Sequence, residues 1–304
     1  MNRHLITIIG PTAIGKTNLA IKLADYFKTE IVSADSRQFY KEMNIGTAKP
    51  SNSELNSIKH HLINNKSIND NYNISDYEKD ALKSIKSIFN KNDAAILVGG
   101  SGLYINTVLY GLDEIPGISD EIRNSLYLDL ELKGIKKLQE ELKLLDPASY
   151  SDIDINNPRR LIRALEVSIS TGKSYSSFLK KKKKKKKRDF NIIVLGINQE
   201  RSELYNKINT RVDNMIESGL INEVKELHNL KGLNALNTIG YREVFNYIEA
   251  KYSLDECINE IKKNTRRYAK RQLTWFKSID NVEWITPDYN FEKITAYINT
   301  LIRN

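Results

Sequence analysis

The sequence predicts an α/β fold: a parallel sheet flanked by helices, with a helical insertion domain and a helical C-terminal region. Three observations predict it. Short, near-continuous apolar runs of β type recur along the 304 residues, separated by stretches with helical spacing. The first run passes through a glycine-punctuated turn straight into an amphipathic helix. About ninety residues between the third and fourth runs hold no strand-like segment. Strands this apolar call for cover on both faces, which is the setting of a parallel sheet.

Taken in order, residues 5–9 (LITII) form the first strand, and helical spacing follows to residue 23. Residues 30–34 (EIVSA) form the second, ending at Asp35. Residues 94–98 (AAILV) form the third, ending at Gly99 and Gly100, and residues 191–197 (NIIVLGI) form the fourth. Between the last two, residues 119–132, 135–145 and 157–170 show helical apolar spacing, punctuated by Asp146-Pro147 and Asn157-Pro158. This predicts a core of residues 1–115 and 189–304 interrupted by a helical insertion at 116–188. Helices are expected at 202–217, 220–230, 241–250 and 254–277, then a short strand at 282–285 and a final helix. Ligands of such sheets bind beyond the carboxyl ends of the strands. Three polar or glycine-rich segments, at 10–17, 35–40 and 99–104, fall at that edge.

Gly10, Pro11, Thr12, Ala13, Ile14, Gly15, Lys16 and Thr17 spell GPTAIGKT, a complete G-x-x-x-x-G-K-[ST] motif. With a strand before it and a helix after it, the motif makes the predicted fold P-loop NTPase-like. Backbone N–H groups at the helix N-terminus cradle a diphosphate or triphosphate. Lys16 reaches the terminal phosphates, and the Thr17 hydroxyl is placed to ligate Mg²⁺. The plain alternative is a turn that only joins strand to helix.

Composition narrows the setting. The single cysteine, Cys257, rules out a disulfide framework. No signal-peptide pattern precedes the first strand, and no run approaches the ~18 apolar residues of a membrane helix. A cytoplasmic protein without a membrane segment is expected. The net charge of +9 equals the nine consecutive positive charges of residues 180–188, so the rest of the chain is neutral. Such a block repels itself and reads as a solvated loop.

Four further segments carry chemistry. Asp35-Ser36-Arg37-Gln38 follows a strand directly, where a carboxylate serves as base or metal ligand and Arg37 as a bidentate diphosphate clamp. An N-capping aspartate beside a surface arginine is the plain alternative. At Gly99-Gly100-Ser101 the paired glycines allow close backbone approach and Ser101 offers a hydroxyl, unless it only caps the next helix. Arg159, Arg160 and Arg163 lie on neighbouring positions of one predicted helix, suited to phosphates or simply to solvent. Residues 265–277 place five positive charges among Tyr268, Trp275 and Phe276, the pattern of single-stranded RNA contacts or of an amphipathic helix with a basic outer face. His60 and His61, being adjacent, are read as structural.

Together these segments resemble one family, tRNA dimethylallyltransferase, also called tRNA isopentenyltransferase. The matching motifs are GPTAIGKT (10–17), DSRQFY (35–40), GTAKP (46–50), VGGSGLY (98–104), NPRRLIRALEV (157–167) and TRRYAKRQLTWF (265–276), with weaker echoes at 60–63, 219–227 and 239–244. The resemblance implies transfer of a dimethylallyl group from dimethylallyl diphosphate to N6 of the adenosine just 3′ of the anticodon. It implies Asp35 as the base, with Lys16, Arg37, Ser101 and Mg²⁺ through Thr17 handling the leaving diphosphate. It also implies a flipped adenosine, and an anticodon stem-loop contacted by Asp35, Ser36, Arg37, Gln38, Ser101, Arg123, Arg159, Arg160, Leu161, Ile162, Arg163, Arg266, Arg267, Lys270 and Arg271. A monomer is expected, and no metal beyond Mg²⁺. Ile14 stands where the family commonly has serine, which leaves the backbone cradle intact. The rival reading is a P-loop small-molecule kinase using ATP, since such a loop fits ATP as readily. That reading predicts a strand ending in aspartate near the loop, where this chain has Gly99-Gly100. A third reading is an RNA-binding protein whose loop only senses nucleotide.

Overall fold

β1 (His4–Ile9) is buried along its whole length, and its β-branched residues pack both faces of a sheet. The computed structural model describes residues 3–113, 115, 119–179 and 186–303. After β1 the chain runs through α1 (Lys16–Tyr26), β2 (Ile31–Ser33), α2 (Asn52–Ser57), β3 (His60–His61), α3 (Ile74–Phe89), β4 (Ala94–Val98) and α4 (Gly102–Tyr110). Next come α5 (Asp120–Leu145), α6 (Pro147–Asp152), α7 (Pro158–Thr171) and α8 (Tyr175–Phe178). The chain returns through β5 (Asn191–Ile197), α9 (Arg201–Glu217), α10 (Leu220–Glu226), α11 (Tyr241–Ile248), α12 (Leu254–Phe276), β6 (Val282–Ile285) and α13 (Phe291–Arg303).

The strands form one parallel sheet in the order β3-β2-β4-β1-β5-β6. Parallel pairing forces every connection to cross a face, so helices cover both sides. Leu5, Ile9, Val32 and Leu97 pack with α3 and α4 on one face. Ile6, Ile8, Ile96 and Leu195 pack with α1, Ala269 of α12 and Ile294 of α13 on the other. Because all strands run the same way, the segments after β1, β2 and β4 emerge at one edge.

Two compact units divide the chain, residues 1–110 with 187–304, and residues 111–186. The second unit has its own core of Leu126, Leu138, Leu142, Leu161 and Leu165. Its long helix α5 breaks at Gly134, whose φ of +76° is non-helical, where the sequence expectation separates two helices. Residues 180–185 of the lysine run lie outside the described residues. Lys187 is exposed, while the run's last member, Arg188, is 11% exposed on its side chain and binds Glu78 Oε1 at 2.7 Å. Its guanidinium also donates to the Thr107 and Val108 carbonyls, which fixes the chain where it re-enters the sheet. Among the described residues no helix is long and apolar enough to cross a membrane.

One carboxylate organises the loop that follows β2. Glu223 of α10 accepts the N–H groups of Asn44, Ile45 and Gly46 at 2.7–3.0 Å, and the Tyr241 hydroxyl at 2.5 Å. This pins residues 44–50 against α10 and α11 and accounts for the two weaker sequence echoes at 219–227 and 239–244. Gln38 completes the anchoring, its amide donating to the Thr47 and Ala48 carbonyls at 3.2 and 3.1 Å. Replacing Glu223 by alanine strands four donors, so Glu223→Ala is expected to lower stability by roughly 3 kcal/mol in chemical denaturation. Glu223→Gln, which keeps one acceptor oxygen, should lose about half as much.

Candidate active site

The loop from β1 to α1 is shaped by two left-handed residues, Ala13 at φ +65° and Gly15 at +98°. Such alternation curls a backbone into a nest of N–H groups at a helix N-terminus. Ile14, 2% exposed, anchors the loop in the core beneath. Lys16 bends back over the loop and donates to the Pro11 carbonyl at 2.7 Å. Thr17, on the first turn of α1, lines the same cavity of about 140 Å³.

Asp35 faces this loop from the end of β2. Its Oδ1 accepts the N–H groups of Arg37 at 2.9 Å and Gln38 at 3.4 Å, so the capping role does exist. Among the described residues Oδ2 accepts no hydrogen bond, and the carboxylate lines the cavity. Burial raises its pKa, outweighing the two N–H groups and the Lys16 charge, which pull it down. A carboxylate that gives up water this way is a stronger proton acceptor.

Ser101 ties two strand ends together. Its N–H donates to the Ala34 carbonyl at 3.2 Å, and its hydroxyl accepts the Ser36 N–H at 3.0 Å. The Tyr268 hydroxyl of α12 also bonds Ser101, and burial pushes that phenol up to about 12.

The cavity's arginine is Arg211 of α9, which the sequence reading missed. Its Nη1 donates to Thr12 Oγ1 at 3.3 Å, and it lines the cavity beside Lys16 and Asp35. The guanidinium of Arg37, the clamp expected from sequence, donates to the Asn234 carbonyl at 3.1 Å, and its charge acts on Asp35. Burial, with the neighbouring Arg211 charge and against the pull of Asp35, lowers the Lys16 pKa to about 7. Burial lowers Arg211 as well. Two withdrawn cations thus face one carboxylate, an arrangement that calls for an anion. Gln272 and Tyr268 are the other residues missed, both reaching the cavity from α12. His60 also lines it, with Nδ1 bonded to the Ile58 carbonyl at 2.7 Å.

The expected RNA contacts divide. On α12, Arg267, Lys270 and Arg271 are exposed, while Arg266 donates to Asn209 Oδ1 at 2.7 Å and lies over the Tyr205 ring. In the second unit, Arg123 and Arg163 share Glu166, at 2.8 and 2.6 Å. Glu166 is only 2% exposed, so much of their charge is spent there. Arg159 and Arg160 are exposed. Leu161 and Ile162, expected to touch RNA, are 0% and 2% exposed. They lie on the inner stripe of α7, and their side chains belong to that unit's core.

Comparison with known proteins places this geometry. The profile of the family described as IPP transferase matches residues 38–279. A tRNA dimethylallyltransferase of Christiangramia forsetii is 52% identical over 302 residues, covering 99% of each chain. One from Flavobacterium johnsoniae is 51% identical over 302 residues, covering 97% of each. Among solved structures, the tRNA isopentenylpyrophosphate transferase of Bacillus halodurans superposes with a TM-score of 0.71 at 36% identity, over 99% of this chain and 96% of that one. A eukaryotic dimethylallyltransferase acting on tRNA gives 0.85 at 26% identity, over 100% of this chain and 80% of that one.

The two arginines separate in a binding experiment. With inorganic diphosphate titrated by calorimetry, Arg211→Ala is expected to weaken binding about 30-fold, the worth of a charge-assisted contact. Arg37→Ala should change it less than about threefold, since this half-buried cation has the Asn234 carbonyl as its partner.

Proposed function

The chain belongs to the IPP transferase family, and from that premise we propose that it is a tRNA dimethylallyltransferase. It moves the dimethylallyl group of dimethylallyl diphosphate to N6 of adenosine 37, beside the anticodon, and releases diphosphate. The observation that carries this reading is the Asp35 carboxylate standing in one cavity with the phosphate loop, Lys16 and Arg211.

An adenine amino group is a weak nucleophile because its lone pair is delocalised into the ring. As N6 attacks C1 of the allyl group, Asp35 accepts an N6 proton, help worth typically 10²–10⁴-fold. The C1–O bond breaks and its electron pair leaves with the diphosphate. That growing negative charge meets Lys16, Arg211 and the phosphate loop, which line one cavity. Ser101 holds the turn that carries Asp35 through the Ser36 N–H, which sets the carboxylate's position.

Mg²⁺ fits this site as a partner of the diphosphate. Among the described residues no group of three His, Cys, Asp or Glu side chains is gathered to cage a metal. Mg²⁺ characteristically needs only one or two protein oxygens, with phosphate and water supplying the rest. The Thr17 hydroxyl would hold it, and the bound ion would neutralise leaving-group charge.

The nucleic-acid partner is a tRNA anticodon stem-loop. The exposed Arg267, Lys270 and Arg271 of α12, with Trp275 at 39% exposure, support contacts to its backbone and unstacked bases. The acceptor base must leave its stack to reach a cavity this deep.

Purified protein incubated with Mg²⁺, radiolabelled dimethylallyl diphosphate and unmodified tRNA should place label in the tRNA. Asp35→Ala should cut kcat by about 10³-fold while diphosphate affinity stays within about threefold. Label that reaches tRNA equally well in the variant would remove Asp35 as the base. The pH dependence of kcat/KM for the donor follows from the free site. Activity falls at low pH as Asp35 protonates, at a pKa raised above 3.8. It falls again as pH rises past about 7, where Lys16 loses its charge. With diphosphate bound, Lys16 holds its proton more firmly, so the alkaline limb of kcat should lie higher.

A further inference from the structure

We propose that Gln272 is a positioning residue for the diphosphate, a brace that fixes the two backbone loops on either side of Lys16. The proposal rests on reading the cavity as a diphosphate site. Gln272 interrupts an apolar stripe: its neighbours on the inner face of α12, Ala269 and Phe276, are both fully buried, and it is itself only 5% exposed. A buried carboxamide is costly unless both its ends are paired. Here both are. Oε1 accepts the Thr12 N–H of the phosphate loop at 2.9 Å, and Nε2 donates to the Gly100 carbonyl at 2.8 Å. The approach is close: a Cβ on Gly100 would sit 2.5 Å from Nε2 and 3.9 Å from Lys16 Nζ. With glycine at position 100 the carboxamide fits as it stands; a larger residue there would displace Nε2.

The consequence concerns which groups remain for the anion. A carbonyl left unpaired at the cavity wall repels phosphate. By binding the Gly100 carbonyl, Gln272 occupies an acceptor at the cavity wall that would otherwise face the anion. By holding the Thr12 N–H, it sets the position of the loop beside Lys16. No other neutral side chain of this length supplies an acceptor and a donor on one rigid plane. Glutamate has the same shape but two acceptors. It would keep the Thr12 bond, lose the Gly100 bond and set a second carboxylate beside Lys16.

Gln272→Glu and Gln272→Leu test this. Affinity for inorganic diphosphate should fall about 10-fold in the leucine variant, the worth of the lost bonds, and about 100-fold in the glutamate variant, where charge adds to the loss. The donor's KM should rise in step, while the Kd for an anticodon stem-loop stays within about twofold of wild type. Thermal unfolding of the near-isosteric glutamate variant checks that the fold is intact. Diphosphate affinity unchanged in both variants overturns the proposal. So does an equal loss of diphosphate and RNA affinity, which marks a general loosening of α12. A wild-type protein that transfers no dimethylallyl group, with diphosphate binding still weakened in the variants, overturns the proposed function and upholds the brace.

Discussion

Two withdrawn cations with too little negative charge between them govern this site. Burial depresses the charged forms of Lys16 and Arg211, the Arg211 charge adds to the effect on Lys16, and Asp35 answers only part of it. Holding such a pair without an anion is costly, and the surrounding structure meets that cost. An incoming diphosphate relieves it, so part of the site's affinity is stored before the ligand arrives. The same field keeps a buried Asp35 able to ionise beside its substrates. Base and leaving-group clamp thus share one electrostatic field, in which Asp35 and Lys16 each act on the other's charge.

The sheet alone does not hold that unit in place. Its carboxyl edge delivers the phosphate loop, Asp35 and the Gly99-Gly100-Ser101 turn, but each is a backbone segment with unpaired polar groups. Side chains from distant helices pair them. Glu223 takes three N–H groups of the loop at 44–46, Gln272 bridges Thr12 and Gly100, and Ser101 takes the Ser36 N–H. The C-terminal helices are therefore structural partners of the N-terminal loops. α12 does two things at once: its outer face shows cations, and its inner face carries Tyr268 and Gln272 into the cavity.

What could be read from sequence follows from how local each signal is. β1, β4 and β5 are apolar throughout, and the phosphate loop is contiguous, so both stand out in one window. The break in α5 at Gly134 left two separate periodic stretches. β3 left none, since His60 and His61 are strand only through pairing with β2. α3 was not assigned, although Asn73 and Asp76 form a capping box at its start. Arg211 sits on an ordinary amphipathic helix with nothing beside it to mark its role; only the fold brings it to Thr12. Arg37, next to Asp35 in the motif, drew the clamp role by proximity; that its guanidinium meets the Asn234 carbonyl had no local signal. Gln272 did carry a signal, a lone amide on an otherwise apolar stripe, and Leu161 and Ile162 carried the opposite one, apolar residues among arginines.

The Lys16 ammonium reports on this account directly. With lysine ¹³C-labelled at Cε and the Lys16 resonance assigned through Lys16→Arg, its titration can be followed by NMR in the free protein and with inorganic diphosphate. The account predicts a midpoint of about 7 in the free protein, moving upward by more than about one unit when diphosphate binds, as an added opposite charge requires. A free-protein midpoint near the ordinary 10.5, unmoved by diphosphate, would contradict it.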